Sequence, residues 1–588
     1  MADTLTTPTE GLTSADPEKD ACKSPPTANM DDLQESSKSE LAPGVELAKA
    51  GNQVLTTKQR LIACAIIWLV NFIQSLSSGI ITTLTPYVTS SFEKHALTGT
   101  TTIIAGIAAG LFQLPFAKIL DIWGRPHGLA LAVTFETMGL VMMAACKNVE
   151  TYCAAQVFYN VGYQGITLTI IIFIADNVSL GSRGMIIALV NTPSIATVWA
   201  AGPAARHILA TIGFRWGFGV WCIVVPVVCA PWLLSLIFVQ NKARKQGLVT
   251  KKSEPRSPTK SLLYFLRESD IVGLLILITG LALFLLAFNL YSNQQHQWKS
   301  PMIICFVVFG TILIILFPIY ERYITRKTFI SWPTLSNRTV ILVFATDLLY
   351  YMSEQTWASY FYSTLVVVFN QSITNATYIN NAYFVSSALW AVLLGLALGK
   401  YGHLKHYSLV FGIPFSLLGT GLLIKFRTWS SGVGYVVMCQ IFLGVGGGTM
   451  YVIEQLVIMA ATAPENIPST LAVLNIVVAT GKAIGGTIGT AIWTTVFKEK
   501  LAKYLPLSAL PYLPQIYGNL YGQISSPPGS PIRIAVDHAY SDTNRLIMIA
   551  AVCFIPPCII FISFWHDYDI RKTRGELGKK RFFFFDAA

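Results

Sequence analysis

Charge is what this chain has least of. Asp, Glu, Lys and Arg make up 12% of its 588 residues, hydrophobic residues make up 53%, and the mean hydropathy is +0.55. No water-soluble core of this size fits that balance, so the chain reads as an integral membrane protein. It also lacks clustered residues for metal or nucleophilic chemistry. The ten cysteines are scattered, most of them inside apolar runs, and read as packing residues. Cys146 and Cys153 bracket one short loop and can pair outside the cell, although two free thiols are the simpler expectation. His95, His127, His207, His296, His403, His406, His538 and His566 are dispersed, and only His403 and His406 are close, within one turn. An enzyme is therefore not expected, and no catalytic residue, metal site or cofactor is assigned. A net charge of +12 would suit nucleic acid, but Lys and Arg fall mainly in loops between apolar runs. That pattern is membrane topology, so no nucleic-acid partner is expected.

Apolar runs of about 20 residues are abundant. Candidate spans fall at 61–83, 98–119, 127–146, 151–175, 185–206, 216–239, 271–291, 301–320, 339–362, 380–399, 407–425, 434–460, 469–497 and 545–565. Fourteen spans put both termini on one side. The basic loop 241–270, the 321–338 linker and the 567–588 tail assign that side to the cytoplasm. Residues 1–57 are rich in Ser, Thr, Pro and charge and read as a disordered cytoplasmic tail, and the first apolar run is a retained helix. On the opposite face, Asn370 and Asn375 head two glycosylation sequons, a weak signal because Asn177 and Asn337 head two more on the inner side.

An internal repeat organises these spans. Sliding the chain by 284 residues brings Val161-Gly162 onto Val445-Gly446, Ala188 onto Ala472, Asn191 onto Asn475 and Gly202 onto Gly486. The implied all-α architecture is a six-helix bundle (58–240), two inserted helices (271–320) and a second six-helix bundle (339–566) whose outer loop spans 498–544. That loop, rich in Pro, Gly and Tyr, reads equally as a lid or as a plain exposed loop. Repeated halves that rock about a midplane site give alternating access, so a secondary transporter is expected.

Ionisable groups cost about 3 kcal/mol each at the bilayer centre, which makes those that persist functional candidates. Glu136, Asp347, Glu354 and Glu454 are candidates for proton coupling, because a carboxylate in low dielectric can load and release a proton as its access to water changes. Glu354 and Glu454 also lie near helix ends, where reaching an aqueous interface would explain them. Asp347, Tyr350, Tyr351 and Glu354 share a helical face that Trp357 and Phe361 lengthen. Tyr159, Asn160, Tyr163 and Gln164 give the fourth span a polar, aromatic face. These residues, with Asn475, are the candidate substrate-binding set, although helix–helix hydrogen bonding explains the fourth-span face nearly as well. Lys482 either pairs with Glu454 or snorkels.

Between the second and third spans stands Asp121-x-x-Gly124-Arg125, where Gly124 permits a tight reversal and Asp121 can pair with an Arg, forming a latch between moving helices. A faded copy follows at Gly399-Lys400-Tyr401-Gly402-His403, without the Asp. This turn resembles that of the major facilitator superfamily, with Ala117 in place of the first Gly and Pro126 in place of a second base. Ala201-Gly202-Pro203 is similar to the superfamily's Gly-Pro element, which implies close packing and a bend at Gly202 and Pro203. The resemblance implies the major facilitator fold.

Tyr87-Val88-Thr89-Ser90-Ser91-Phe92 followed by His95, the turn from Ile174-Ala175-Asp176 to Arg183-Gly184, Trp298-Lys299-Ser300 and the long last outer loop together resemble the fungal siderophore-iron transporters, from about 58 to 570. That resemblance implies proton-coupled import of ferric siderophores of hydroxamate type across the plasma membrane, with iron carried only inside its chelate. The pattern is nearest the Mir-type branch, which implies fusarinine-type cargo. A monomer in the lipid bilayer is expected, with an endosomal pool as a second location. The chain departs from several relatives at Gln74-Ser75-Leu76-Ser77-Ser78, where Ser77 replaces an Asp, so no proton role is carried to that position. A fourteen-span drug:proton antiporter that exports its cargo is the alternative.

Overall fold

A computed structural model of the chain describes residues 43–91, 98–248, 270–291, 294, 297–324, 334, 336–518 and 520–569. Residues 1–42 of the expected 1–57 tail, residues 570–588 of the expected 567–588 tail, most of the basic loop, much of the 321–338 linker and the Phe92–His95 segment lie outside the described residues. Among the described residues the chain is helical and contains no strand, only an isolated bridge between His403 and Asp569.

A short helix α1 (Pro43–Val54) precedes α2 (Thr57–Ser91), α3 (Thr98–Ile122), α4 (Arg125–Ala145), α5 (Val149–Asn177), α6 (Leu180–Thr211) and α7 (Gly213–Lys245). Then come α8 (Ile271–Leu290), α9 (Pro301–Tyr323), α10 (Arg338–Ala358), α11 (Ile373–Tyr401), α12 (Leu404–Phe426), α13 (Val433–Ala461), α14 (Ile467–Tyr504) and α15 (Pro531–Ser563). Side chains begin several of them by accepting an orphan backbone N–H: Asn148 from Thr151 (2.9 Å), Asn337 from Thr339 (2.9 Å) and Ser372 from Asn375 (3.2 Å). Among the described residues twelve helices are long and apolar enough to cross a membrane. The other two of the fourteen expected spans are α8, whose apolar stretch Val272–Phe288 is shorter, and α10, whose 21 residues include Asp347 and Glu354.

Three segments differ from expectation. Residues 43–54, placed in a disordered tail by their low hydropathy, form α1, because Val45, Leu47, Ala50 and Val54 gather on one face and are buried. The outer segment 498–544, expected to be a loop, is largely helical. α14 continues to Tyr504, short turns of helix follow, and α15 starts at Pro531 rather than near 545. Arg533, Asp537, His538 and Asp542 hide that first stretch of α15 from a hydropathy reading, yet Val536, Ala539 and Tyr540 are buried, with Tyr540 set edge-on to Trp493 and Phe497. The span expected at 339–362 ends at Ala358, where Tyr360 takes a left-handed φ of 56°. Arg427, 1% exposed, stabilises that break by donating to the carbonyls of Trp357 (2.6 Å) and Ser359 (2.9 Å).

The repeat is visible in the helices themselves: α13 begins 284 residues after α5, and each is 29 residues long. Gly162 lets α5 approach α4 so closely that a Cβ there would fall 2.2 Å from the backbone nitrogen of Glu136. Gly446 does the same for α13 on α12, 2.1 Å from Ser416 Oγ. The two halves meet along α3 against α14, where Asn475 Nδ2 donates to Gln113 Oε1 (2.6 Å), and along α6 against α11, where Trp199 lies 4.8 Å from Tyr378. The inserted pair α8 and α9 leans on the α3–α14 seam through Leu285, Ile107, Leu111 and Ala483. Exposed Ile304, Val308, Phe309, Ile312 and Ile315 face outward from α9, as a lipid-facing helix requires.

Candidate functional site

The Asp121–Arg125 turn is tied on three sides. Gly124 has φ 95°, open to glycine at no steric cost, and this places Arg125 at the start of α4 with only 4% exposure. Its Nη1 donates to Asp121 Oδ1 (3.2 Å) and to the Leu120 carbonyl (2.9 Å), and its Nε donates to Asp176 Oδ2 (2.9 Å) at the end of α5. Two carboxylates thus share one guanidinium, which binds α3, α4 and α5 at one end of the bundle. α1 lies against this end: Gly44 sits directly over Leu120, Asp121 and Gly124, and Asn52 Nδ2 donates to the Asp176 carbonyl (2.6 Å). Asp176 was visible in the sequence only as part of a turn, and the structure makes it the third member of this ion-paired cluster. The close approach expected at Gly202 is made one residue earlier, where Gly79 of α2 packs on Ala201; a Cβ on Gly202 would meet nothing within 4 Å. Pro203 lies inside α6.

Between the two halves lies a cavity of about 1390 Å³. That exceeds the roughly 300–1,000 Å³ of ordinary small-molecule pockets, so the space admits a bulky molecule. Its polar wall is mostly uncharged. Asn71, Gln113, Gln164 and Asn191 project from the first half, and Asn380, Asn381, Gln455 and Asn475 from the second. Tyr163, Tyr351, Tyr362, Tyr383 and Tyr451 add aromatic faces and hydroxyls. Asn191 and Asn475, equivalent in the repeat, both border the cavity.

Charge enters at one place, where Glu354, Glu454 and Lys482 border the cavity together. Lys482 pairs with Glu354 (3.3 Å), not with Glu454, and lies 5.1 Å from the centre of the Tyr351 ring. Tyr351 donates its hydroxyl to Glu454 Oε1 (2.9 Å), and Tyr383 donates to Glu354 Oε1 (3.4 Å). Glu454 is 2% exposed, so reaching an aqueous interface does not explain it. Asp347 is fully buried in α10 behind this group, away from the cavity. Glu136 is also fully buried and off the cavity, with Gln74 Nε2 donating to its Oε2 (2.7 Å) and its Oε1 lacking a hydrogen bond.

Of the candidate binding residues, Tyr163, Gln164, Tyr351 and Asn475 border the cavity, whereas Tyr159, Asn160, Tyr350, Trp357 and Phe361 do not. Asn160 donates back to the Gln156 carbonyl, Tyr350 bonds Ser416, and Trp357 and Phe361 pack at the α10 break. Helical spacing put these residues on a polar face, but the face is wider than the arc that meets the cavity. Sequence reasoning missed Asn71, Gln113, Asn380, Asn381, Tyr383 and Gln455, since single amides in apolar runs look alike until the helices are packed. Cys146 and Cys153 are free thiols. Asn370 and Asn375 are exposed. Among the described residues one potential metal-ligand group appears, His403, His406 and Asp567, which sequence spacing could not reveal because Asp567 is far along the chain.

Lys482→Ala is expected to lower transport more than the double variant Lys482→Ala/Glu354→Gln, because the single change strands a largely buried carboxylate while the double change leaves no unpaired charge. Initial-rate uptake by both variants, normalised to surface protein, checks the order.

Residues 67–380 match the Major Facilitator Superfamily. The chain is 42% identical over 537 residues, 91% of both chains, to "MFS siderochrome iron transporter 1" of Ajellomyces capsulatus. It is 34% identical over 536 residues to "Siderophore iron transporter mirB" of Emericella nidulans, covering 90% of this chain and 89% of that one. A solved proton:xylose symporter of the superfamily, bound to 6-bromo-6-deoxy-D-glucose, superposes with a TM-score of 0.51 over 87% of this chain and 98% of its own, at 12% identity, a likeness of fold. With repeated helical halves, an ion-paired turn at Asp121–Arg125 and a cavity between the halves, the chain belongs to the major facilitator superfamily, among its fungal siderochrome iron transporters.

Proposed function

We propose that the protein imports ferric siderophore chelates by alternating access, with cargo held in the cavity between the halves and protons as the coupling ion. The observation that carries this reading is the large cavity wall of neutral amides, hydroxyls and tyrosines drawn from both halves. A ferric ion bound by three hydroxamates is electrically neutral, bulky and covered with amide-like oxygens. Carboxamide N–H groups and tyrosine hydroxyls donate to such oxygens, and aromatic faces pack on the chelate's hydrocarbon. The names of the relatives agree with this cargo. The iron is substrate, enclosed by its chelate throughout.

Proton coupling rests on Glu454 and Glu354 at the cavity and on Asp347 and Glu136 behind the wall. An unpaired buried charge costs several kcal/mol, and proton uptake relieves that cost. The loop-charge pattern supports both termini lying in the cytoplasm; residence in the plasma membrane as a monomer, with an endosomal pool, completes the reading. Fusarinine-type chelates are the proposed subclass.

The test is uptake of radiolabelled iron in cells lacking their own siderophore carriers, with ferric trihydroxamates compared against an anionic ferric tris-catecholate. The trihydroxamates are expected to enter saturably, at least about tenfold faster than the catecholate, whose net negative charge would be stranded beside the two glutamates. Equal entry of both would remove the argument from wall chemistry.

A further inference from the structure

We propose that His403, His406 and Asp567 bind a divalent transition metal, which staples the segment following α15 to the α11–α12 turn. This site is separate from the cargo cavity and does not depend on the transport reading. It occupies the place in the second half that the latch occupies in the first. Gly402 ends α11 with φ 79°, as Gly124 ends α3 with φ 95°. The residue after each glycine points to a carboxylate: Arg125 to Asp121 and Asp176, His403 to Asp567. Where the first half uses a permanent guanidinium charge to join its carboxylates, the second half has two imidazoles and one carboxylate, a set in which a metal ion can supply that charge.

The donor atoms converge. His403 Nδ1 lies 2.8 Å and His406 Nδ1 3.4 Å from the same oxygen, Asp567 Oδ2, and ligand atoms of all three residues lie within 4.8 Å of one another. Bonds of about 2.1 Å to one metal place neighbouring donors about 3.0–3.4 Å apart, close to the two imidazole-to-carboxylate distances, and a small rotation of the exposed His406 ring closes the third. Backbone orients the carboxylate, since Asp567 Oδ1 accepts from the Lys405 amide (3.2 Å). The Lys405 ammonium is bonded to the carbonyls of Ser563 (2.6 Å) and Trp565 (3.3 Å). Leu404 N donates to the Tyr568 carbonyl (3.4 Å), which closes the two segments into a frame. The side chains of His403, His406 and Asp567 are 44%, 71% and 26% exposed, so an ion from solution can reach them. Two imidazoles and one carboxylate with open positions suit Fe(II), Zn(II) or Co(II) and reject Ca(II) and Mg(II).

The experiment titrates the purified full-length protein, free of any histidine tag, with Co(II), followed by its visible spectrum, and with Zn(II) in competition. One equivalent is expected to bind. His406→Ala and Asp567→Asn are each expected to weaken binding at least about tenfold, and His403→Ala/His406→Ala to abolish it. His406 is the most exposed of the three, so its replacement leaves the fold intact. Zn(II) is expected to slow hydrogen exchange at 402–407 and 563–569 in wild type alone. No Co(II) spectrum with wild type, or an unchanged one with the double variant, overturns the site; binding without exchange protection overturns the staple.

Discussion

Arg125→Ala is expected to lower uptake by at least about tenfold per molecule at the cell surface, and to reduce the amount of protein that reaches it. Arg125 bonds both Asp121 and Asp176, and it is buried. Removing one partner of a buried pair costs about 3–5 kcal/mol, and here two carboxylates lose the same partner. The loss falls on the turn that joins α3 to α4 and on the end of α5, all within the half that the proposed alternating access moves as a unit. Arg125→Lys is expected to recover part of the stability and little of the transport, since an ammonium cannot bond both carboxylates and the Leu120 carbonyl through a planar fork. Uptake divided by surface abundance separates coupling from folding. A wild-type ratio in Arg125→Ala would reduce the latch to a packing device.

The second large effect is expected at Glu454. Proton symport requires uptake to rise as the outside is acidified, because protons then flow inward with the cargo. In Glu454→Gln that rise is expected to shrink several-fold while uptake at neutral pH persists, because the amide oxygen can still accept the Tyr351 hydroxyl that Glu454 Oε1 accepts at 2.9 Å. Asp347→Asn, behind Glu454, is expected to flatten the same profile, and Glu136→Gln to act alike from the other half. Initial rates at two external pH values, in cells of equal membrane potential, provide the measurement. An unchanged acid response in all three variants would place the coupling ion elsewhere.

The sequence held the fold more fully than the site. Apolar runs and loop charges located the helices, and the offset between Asn191 and Asn475 or Gly162 and Gly446 exposed the two halves, because helix contacts demand small residues at repeated places. Hydropathy failed where a helix is buried by protein rather than lipid. α1 and the first turns of α15 carry enough polar residues to pass for loop, and Arg427 and Arg533 become buried only because backbone carbonyls receive them. At the site, Glu454, Glu354 and Asn475 could be picked out because ionisable and repeated residues in a membrane are rare. The partner of Lys482 could not be chosen, since Glu354 and Glu454 are both within a long side chain's reach until α10, α13 and α14 are packed together. Nor could His403 and His406 be joined to Asp567 before the chain's last segment was seen folded back on the α11–α12 turn.

The central claim is inward carriage of an intact ferric chelate through the cavity between the halves. It is tested most directly by loading cells that lack their own carriers with a doubly labelled ferric trihydroxamate, one label on iron and one on the ligand, and following both with time. The account predicts that both labels enter together, in equal proportion and against a gradient, only when the protein is present. Entry of iron without ligand, or protein-dependent export of preloaded chelate, would contradict it.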